Sequence, residues 1–173
     1  RWLHAGKGFP PLGTIPPGLE ALGATLALVG LGRIGSRVAQ IARVLGMRVL
    51  AYDPYVPAER AQSLGVEMVG SLDELWPQAD VVSLHVPPLP ETYRMINAET
   101  LAKMRRGVFL VNVARGGLID EVALLEALRS GQVAAAGLDV FDPEPPDPNN
   151  PLLQDPNVVC TSHVGSYTSA GLL

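Results

Sequence analysis

Short, nearly continuous apolar runs recur along this chain, at Ala24–Val29, Met47–Tyr52, Val66–Val69, Asp80–Leu84, Val108–Val113, Val133–Val140 and Asn157–Cys160. Runs of this length lack a helical stripe and read as strands buried on both faces, the pattern of a parallel sheet. Helical signals fall between them. Gly35–Leu45 carries Val38, Ile41, Ala42 and Leu45 at helical spacing, and Ser71-Leu72-Asp73-Glu74 is a capping-box pattern before Leu75. Asn97–Met104 predicts a short helix capped by Asn97. Asp120–Arg129 predicts another, with Asp120 as N-cap, Leu124, Leu125 and Leu128 on one face, and Gly131 beyond its end. Strand and helix alternate throughout, which predicts an α/β fold with a doubly wound parallel sheet, three α/β/α layers and right-handed crossovers.

The chain's 173 residues suffice for one sizeable domain but not two. With 47% hydrophobic and 17% charged residues, it must bury a large core. A net charge of -4 without a basic block argues against nucleic acid as a partner. No apolar run reaches the roughly 18–20 residues that span a bilayer, and the N-terminus lacks the pattern of a signal peptide. One cysteine, Cys160, cannot form an internal disulfide and fits a cytoplasmic setting. Cys160 itself reads as core, Trp2 and Trp76 as packing residues, and Arg105-Arg106 as a solvated turn. His4 carries no usable signal, and no His/Cys/Asp/Glu grouping has metal-ligand spacing.

Gly30-Leu31-Gly32-Arg33-Ile34-Gly35 joins the first strand to the first helix. Alone, a GxGxxG is weak. At a strand–helix junction, the first glycine permits a tight turn, the second lets backbone approach a pyrophosphate, and the third lets helix pack on strand. The helix N-terminus then offers its N–H groups to phosphates. This predicts a Rossmann-type dinucleotide-binding domain, against the alternative of a ligand-free βα turn. Asp53 ends the second strand, where a carboxylate accepts from both ribose hydroxyls and repels a 2′-phosphate, favouring NAD over NADP. The plainer reading of Asp53-Pro54 is a turn.

Ligands collect at the carboxyl ends of parallel strands. Those ends carry Gly30, Asp53, His85, Arg115, Asp139 and His163. Arg115 follows an apolar run that needs no cation, although a surface salt bridge would also explain it. Asp139 stands as a charge within an apolar strand, costly to bury unpaired. His163 is either a satisfied structural histidine or a general acid/base, with Glu144 as its candidate partner. A carboxylate there would raise the imidazole's pKa and fix its tautomer.

From about Ala24 to Thr168 the sequence resembles the NAD-binding domain of the D-isomer-specific 2-hydroxyacid dehydrogenases. The matching stretches are Val29–Gly35, Val113–Asp120, Gly137–Phe141 with Glu144-Pro145, and His163-Val164-Gly165. Ala51–Val56 also looks like the phosphoglycerate dehydrogenase branch. The resemblance implies hydride transfer between NAD and a small D-2-hydroxy acid. Arg115 would hold the substrate carboxylate, His163 would be the general acid/base, Glu144 its partner, and Asp139 a ligand of the nicotinamide carboxamide. It also implies cofactor contacts at Gly30, Gly32, Arg33, Ile34, Gly35, Asp53, Pro54, His85, Val86, Pro87, Val113, Ala114, Arg115, His163 and Gly165, and a homodimer formed through this domain.

Ser162 departs from the proline that many members carry before this histidine. The family's second, substrate domain has no counterpart here, and both ends of the chain read as cut. The expected organisation is a connector over 1–23, the NAD-binding domain over 24–168, and the start of a hinge segment over 169–173. Little or no turnover is then expected from this chain alone. Two alternatives stay open. Formate dehydrogenase shares the fold, but that branch resembles a Gln rather than Glu144 beside its histidine. NAD-sensing, non-enzymatic corepressors of the same fold keep a similar triad.

Overall fold

Strong β-branched and aliphatic runs set the framework of the computed structural model, which describes residues 18–167. In chain order the elements are β1 (Thr25–Val29), α1 (Arg33–Val44), β2 (Arg48–Tyr52), α2 (Ala58–Ser63), β3 (Glu67–Met68), α3 (Leu72–Leu75), β4 (Val81–Leu84), α4 (Ala98–Lys103), β5 (Val108–Asn112), α5 (Glu121–Ser130), β6 (Val133–Leu138) and β7 (Val158–Cys160). Single 3-10 turns lie at Trp76–Gln78, Gly116–Leu118 and Pro151–Leu153. The seven strands form one sheet in the order β3-β2-β1-β4-β5-β6-β7, and every pairing is parallel. The sheet grows outward from β1 in both directions, so the topological switch lies between β1 and β4, the crevice that receives ligands in such sheets.

Alternate residues of the central strands serve opposite layers. Leu26 and Leu28 of β1 pack with Val49 and Ala51 of β2, against Ala39 and Ala42 of α1 and Ala61 of α2. Ala27, Val29 and Leu50 face the other way, into a larger cluster with Trp76, Leu101, Leu124 and Leu128. The sheet is thus covered on both sides. Each fully buried leucine contributes about 1.5–3 kcal/mol.

Caps follow the sequence pattern closely. Asn97 Oδ1 accepts from the Glu99 and Thr100 amides, and Thr100 Oγ1 returns the bond to Asn97 N–H. Asp120 caps α5 through Val122 N–H and Ala123 N–H, and Gly131 ends that helix at φ +71°. At α3 the box is displaced: Ser71 Oγ accepts from Glu74 N–H, but Glu74 reaches back to Gly70 N–H instead of Ser71 N–H.

The structure also corrects several expectations. α2 has no counterpart in the sequence reading, because it is short and buries only Ala61. β6 stops at Leu138, so Asp139 lies just beyond the strand rather than within it. Cys160 lies on edge strand β7 and is only half-buried against the core, and burial pushes its thiol pKa up. Arg105 and Arg106 are both exposed, as a solvated turn requires, and each also has a partner: Arg105 pairs with Asp80 at 2.6 Å, and Arg106 donates to Ser130 O at 2.7 Å. Trp76 is fully buried. Trp2, His4, the first 17 residues of the connector and the segment 169–173 lie outside the described residues.

Candidate active site

β1 delivers Gly30 to the switch point in a left-handed conformation, φ +96°. A Cβ there would lie 2.8 Å from the His85 carbonyl oxygen, and one on Gly35 would collide with Gly30 O. A Cβ on Gly32 would meet nothing within 4 Å, so at this glycine the backbone faces open space. Gly30 makes the turn, Gly35 lets α1 pack, and Gly32 leaves room. Ser36 N–H donates to Gly32 O at 3.0 Å, which starts α1 at Arg33. The amides before Ser36 have no intrahelical acceptor, and no acidic side chain stands in the first turn.

Asp53 organises the other wall. Its Oδ2 accepts from Leu31 N–H at 2.8 Å and its Oδ1 from Tyr55 N–H at 2.9 Å, so the carboxylate braces the glycine turn and retains lone pairs for a ligand. A cavity of about 390 Å³ opens here, lined by Gly30, Gly32, Asp53, Pro54, His85, Val86 and Pro87, with Tyr52, Leu72 and Met95 supplying apolar surface. His85 Nε2 lies 2.9 Å from Ser83 Oγ, and burial depresses its pKa below the ordinary 6.5, which keeps the ring neutral near pH 7. Open space at Gly32, free helix amides and an acceptor-only Asp53 fit a dinucleotide. Arg33 and Ile34 do not line this cavity; they border an outer groove with Arg37, Ile41 and Arg60.

The remaining candidates gather at the carboxyl ends of β5, β6 and β7, which are neighbours in the sheet. Buried Asn112 shapes the turn after β5, donating from Nδ2 to Arg115 O at 2.8 Å and accepting from Ala114 N–H at 3.1 Å. Arg115 therefore emerges exposed, with one guanidinium nitrogen on Ala114 O. Among the described residues no carboxylate lies within 4.0 Å of it, which removes the salt-bridge explanation. Val113 is exposed beside it and Ala114 is half-buried.

After β7 the chain turns sharply at His163, whose φ is +57°. Asp139 holds that turn. Its carbonyl accepts from His163 N–H at 2.8 Å, Oδ1 accepts from Thr161 Oγ1 and Val164 N–H, and Oδ2 accepts from Gly165 N–H. Successive amides converging on one anion form a nest. Burial pushes the Asp139 pKa up, but the Thr161 hydroxyl, the two amides and nearby His163 outweigh it and hold the carboxyl below its ordinary 3.8. His163 Nδ1 then meets Glu144 Oε2 at 2.9 Å. That contact leaves Nε2 directed elsewhere, and the pair borders an open cavity of about 900 Å³ with Phe141, Cys160 and Thr161. Arg115 touches neither member of the pair; it stands at the adjoining strand end. Among the described residues no group of three or more His, Cys, Asp or Glu is placed to hold a metal ion.

Residues 4–165 match the family described as D-isomer specific 2-hydroxyacid dehydrogenase, NAD binding domain. The chain belongs to this family. Within the family, it is 50% identical over 151 residues to a D-3-phosphoglycerate dehydrogenase of Methanocaldococcus jannaschii, covering 87% of this chain and 29% of that protein. A D-3-phosphoglycerate dehydrogenase of Bacillus subtilis is 49% identical over 156 residues, covering 90% and 29%. Among solved structures, a glyoxylate reductase from Paecilomyes thermophila superposes with a TM-score of 0.87 at 39% identity, covering 98% of this chain and 50% of that one. The chain thus spans about three tenths of the length of these curated relatives.

As an NAD-binding domain of this dehydrogenase family, the chain uses residues that the sequence reading passed over. Asn112 sat inside a run read as apolar, and its polarity at a strand end was the available signal. Thr161, next to Ser162 and His163, belongs to no motif that would have marked its bond to Asp139. Glu121, in the first turn of α5, drew no reading from the sequence.

Proposed function

We infer that this chain is the cofactor half of an NAD-dependent dehydrogenase that interconverts a D-2-hydroxy acid and its 2-keto acid. The Glu144–His163 contact carries the reading, because it sits on the same sheet rim as the dinucleotide cavity. NAD, when bound, supplies the hydride acceptor or donor at its nicotinamide ring. Arg115 is exposed and free of carboxylates, so it is suited to hold the substrate carboxylate by paired N–H donors. His163 takes the hydroxyl proton at Nε2 in the oxidative direction and returns it to the carbonyl oxygen in the reductive one. Glu144 fixes the tautomer by accepting from Nδ1 and stabilises the imidazolium as it forms. Asp139 keeps one acceptor position on Oδ2 available for the nicotinamide carboxamide, beside the bond that Gly165 N–H already donates to that oxygen.

3-Phosphoglycerate is the first substrate to examine, on the strength of the phosphoglycerate dehydrogenases at about half identity. The opposing wall of the cleft is assigned to a second, substrate-binding domain outside 1–173, with 1–23 and 169–173 as its connections. A cytoplasmic homodimer is the expected form. No helix among the described residues is long and apolar enough to cross a membrane. The test is isothermal titration of this chain with NADH and NADPH. NADH should bind and NADPH should bind far more weakly, while the chain by itself should turn over 2-keto acids slowly or not at all. Preference for NADPH would overturn the role of Asp53, and ordinary turnover by this chain would overturn the two-domain reading.

A further inference from the structure

Glu144 is carried by a loop with little to hold it. Pro143, Pro145, Pro146 and Pro148 lack amide donors, so the segment has little backbone hydrogen bonding of its own, and what it has lies at its far end, where Asn150 N–H donates to Asp147 O and Asn149 N–H to Asp147 Oδ1, both at 2.8 Å. Among the described residues, two hydrogen bonds tie Asp142–Pro148 to other elements. One is the Glu144–His163 contact itself, and the other runs from Asp142 N–H to Glu121 Oε1 at 3.1 Å. The second oxygen of the same carboxylate, Glu121 Oε2, accepts from Asn150 Nδ2 at 2.6 Å, at the far end of the loop. Asn150 is rigid in turn, since its Oδ1 caps the 3-10 turn through Leu152 N–H at 3.0 Å. Just before Asp142, the Phe141 backbone presses on Gly116, where a Cβ would collide with the Phe141 carbonyl. The turn that presents Arg115 and the root of the Glu144 loop are therefore in direct contact.

We propose that Glu121 is a positioning residue: its carboxylate clamps both ends of the Asp142–Asn150 loop and so holds Glu144 against His163. This rests on the reading of that pair as the acid/base. An acid in a helix's first turn needs only the helix dipole to justify it. Glu121 departs from that pattern because both its oxygens leave the helix and bind residues 21 and 29 positions away. Asp120 already caps α5 through two amides, so the helix does not depend on Glu121 for its start.

The experiment follows the His163 imidazole by NMR in the 15N-labelled chain, where an Nδ1–H bonded to a carboxylate has its own signature. Glu144→Gln should abolish that signature. Glu121→Ala should reduce it severalfold with the core amide spectrum unchanged, and Glu121→Gln, whose carbonyl can still accept from Asp142 N–H, should restore part of it. Asn150→Ala, which leaves the α5 N-terminus intact, should weaken it too and keeps the test open should Glu121→Ala fail to fold. In the Glu144→Gln background, Glu121→Ala should add nothing. A wild-type signature in folded Glu121→Ala or Asn150→Ala overturns the clamp while leaving the pair standing. An unchanged signature in Glu144→Gln overturns the pair, and the clamp with it.

Discussion

At the scale of the residue, Asp53 braces the fold, and the proposed function gives the same side chain a ligand. Its two oxygens accept from Leu31 and Tyr55 amides, and Leu31 is fully buried. Asp53→Ala strands the Leu31 amide at a cost of about 1–3 kcal/mol, lowering the melting temperature by roughly 3–10 °C for a domain of this size. Asp53→Asn keeps one carbonyl acceptor for that amide but loses the negative charge that the proposed function sets against the ribose. It should melt close to wild type while NADH affinity falls about tenfold or more, the equivalent of one charge-assisted hydrogen bond. NADPH should lose less, because the repulsion of its 2′-phosphate goes too. Calorimetry on both variants separates the roles, and unchanged discrimination in Asp53→Asn would show that the carboxylate does not read the ribose. The place of Asp53 beside the glycine turn was legible from sequence because a strand end, a glycine motif and an acid stood in a fixed order. Glu121 was not, since its partners are far off in the chain and only folding brings them near.

At the scale of the element, strand ends decide the chemistry and strand lengths are what sequence reads least well. The runs located all seven strands, since continuous burial leaves a continuous apolar signature. They overran at β6, because Val140 and Phe141 are buried beyond the last ladder bond and extend the apolar pattern past it. That overrun placed Asp139 inside a strand, whereas it heads the turn that carries His163. α2 was missed for the opposite reason: one inward alanine makes no stripe. The Asp139 turn has a pH signature. A carboxyl held below its ordinary 3.8 in the folded chain stabilises fully above that value and loses its contribution as pH falls through the folded pKa. Asp139→Asn should be less stable than wild type near neutrality, since an amide nitrogen cannot accept from Gly165 N–H, and the gap should close on acidification below 3.8. His85 acts in a higher window. Its depressed pKa means that the unfolded chain takes up protons first as pH drops from 6.5, so stability declines there, and His85→Gln should remove that decline. Denaturant midpoints measured across pH resolve the two. A gap for Asp139→Asn that stayed constant to strongly acid pH would mean its carboxylate is not held ionised by the turn.

At the scale of the whole molecule, the inner faces of the helices close the core, but the outer face of α1 is not finished as a solvent face. Ile34, Ile41 and Val44 are 65%, 63% and 89% exposed and fall on one helical stripe, with Leu45 just beyond at 56%. Surface helices ordinarily turn charge outward, and single exposed leucines need no explanation, but a stripe does. Leu22, 72% exposed, lies against Gly46 at the end of α1 and lengthens the patch. A two-fold axis across the helix would set this stripe on its own copy, with Arg37, which falls within the stripe, drawn aside to Gln40 at 3.0 Å. A helix of 12 residues is about 18 Å long and about 10 Å wide, so its face offers about 200 Å², short of the ~800 Å² per partner typical of a stable interface, and the stripe alone supports a weak dimer. Sedimentation velocity should accordingly show a concentration-dependent monomer–dimer equilibrium for this chain. Ile41→Glu with Val44→Glu should leave only monomer, with melting temperature and NADH affinity unchanged, since neither side chain reaches the core or the cofactor cavity. A wild-type chain that stayed monomeric at about 100 μM, a concentration at which a Kd of that order would half-populate the dimer, would leave the α1 stripe without the partner assigned to it.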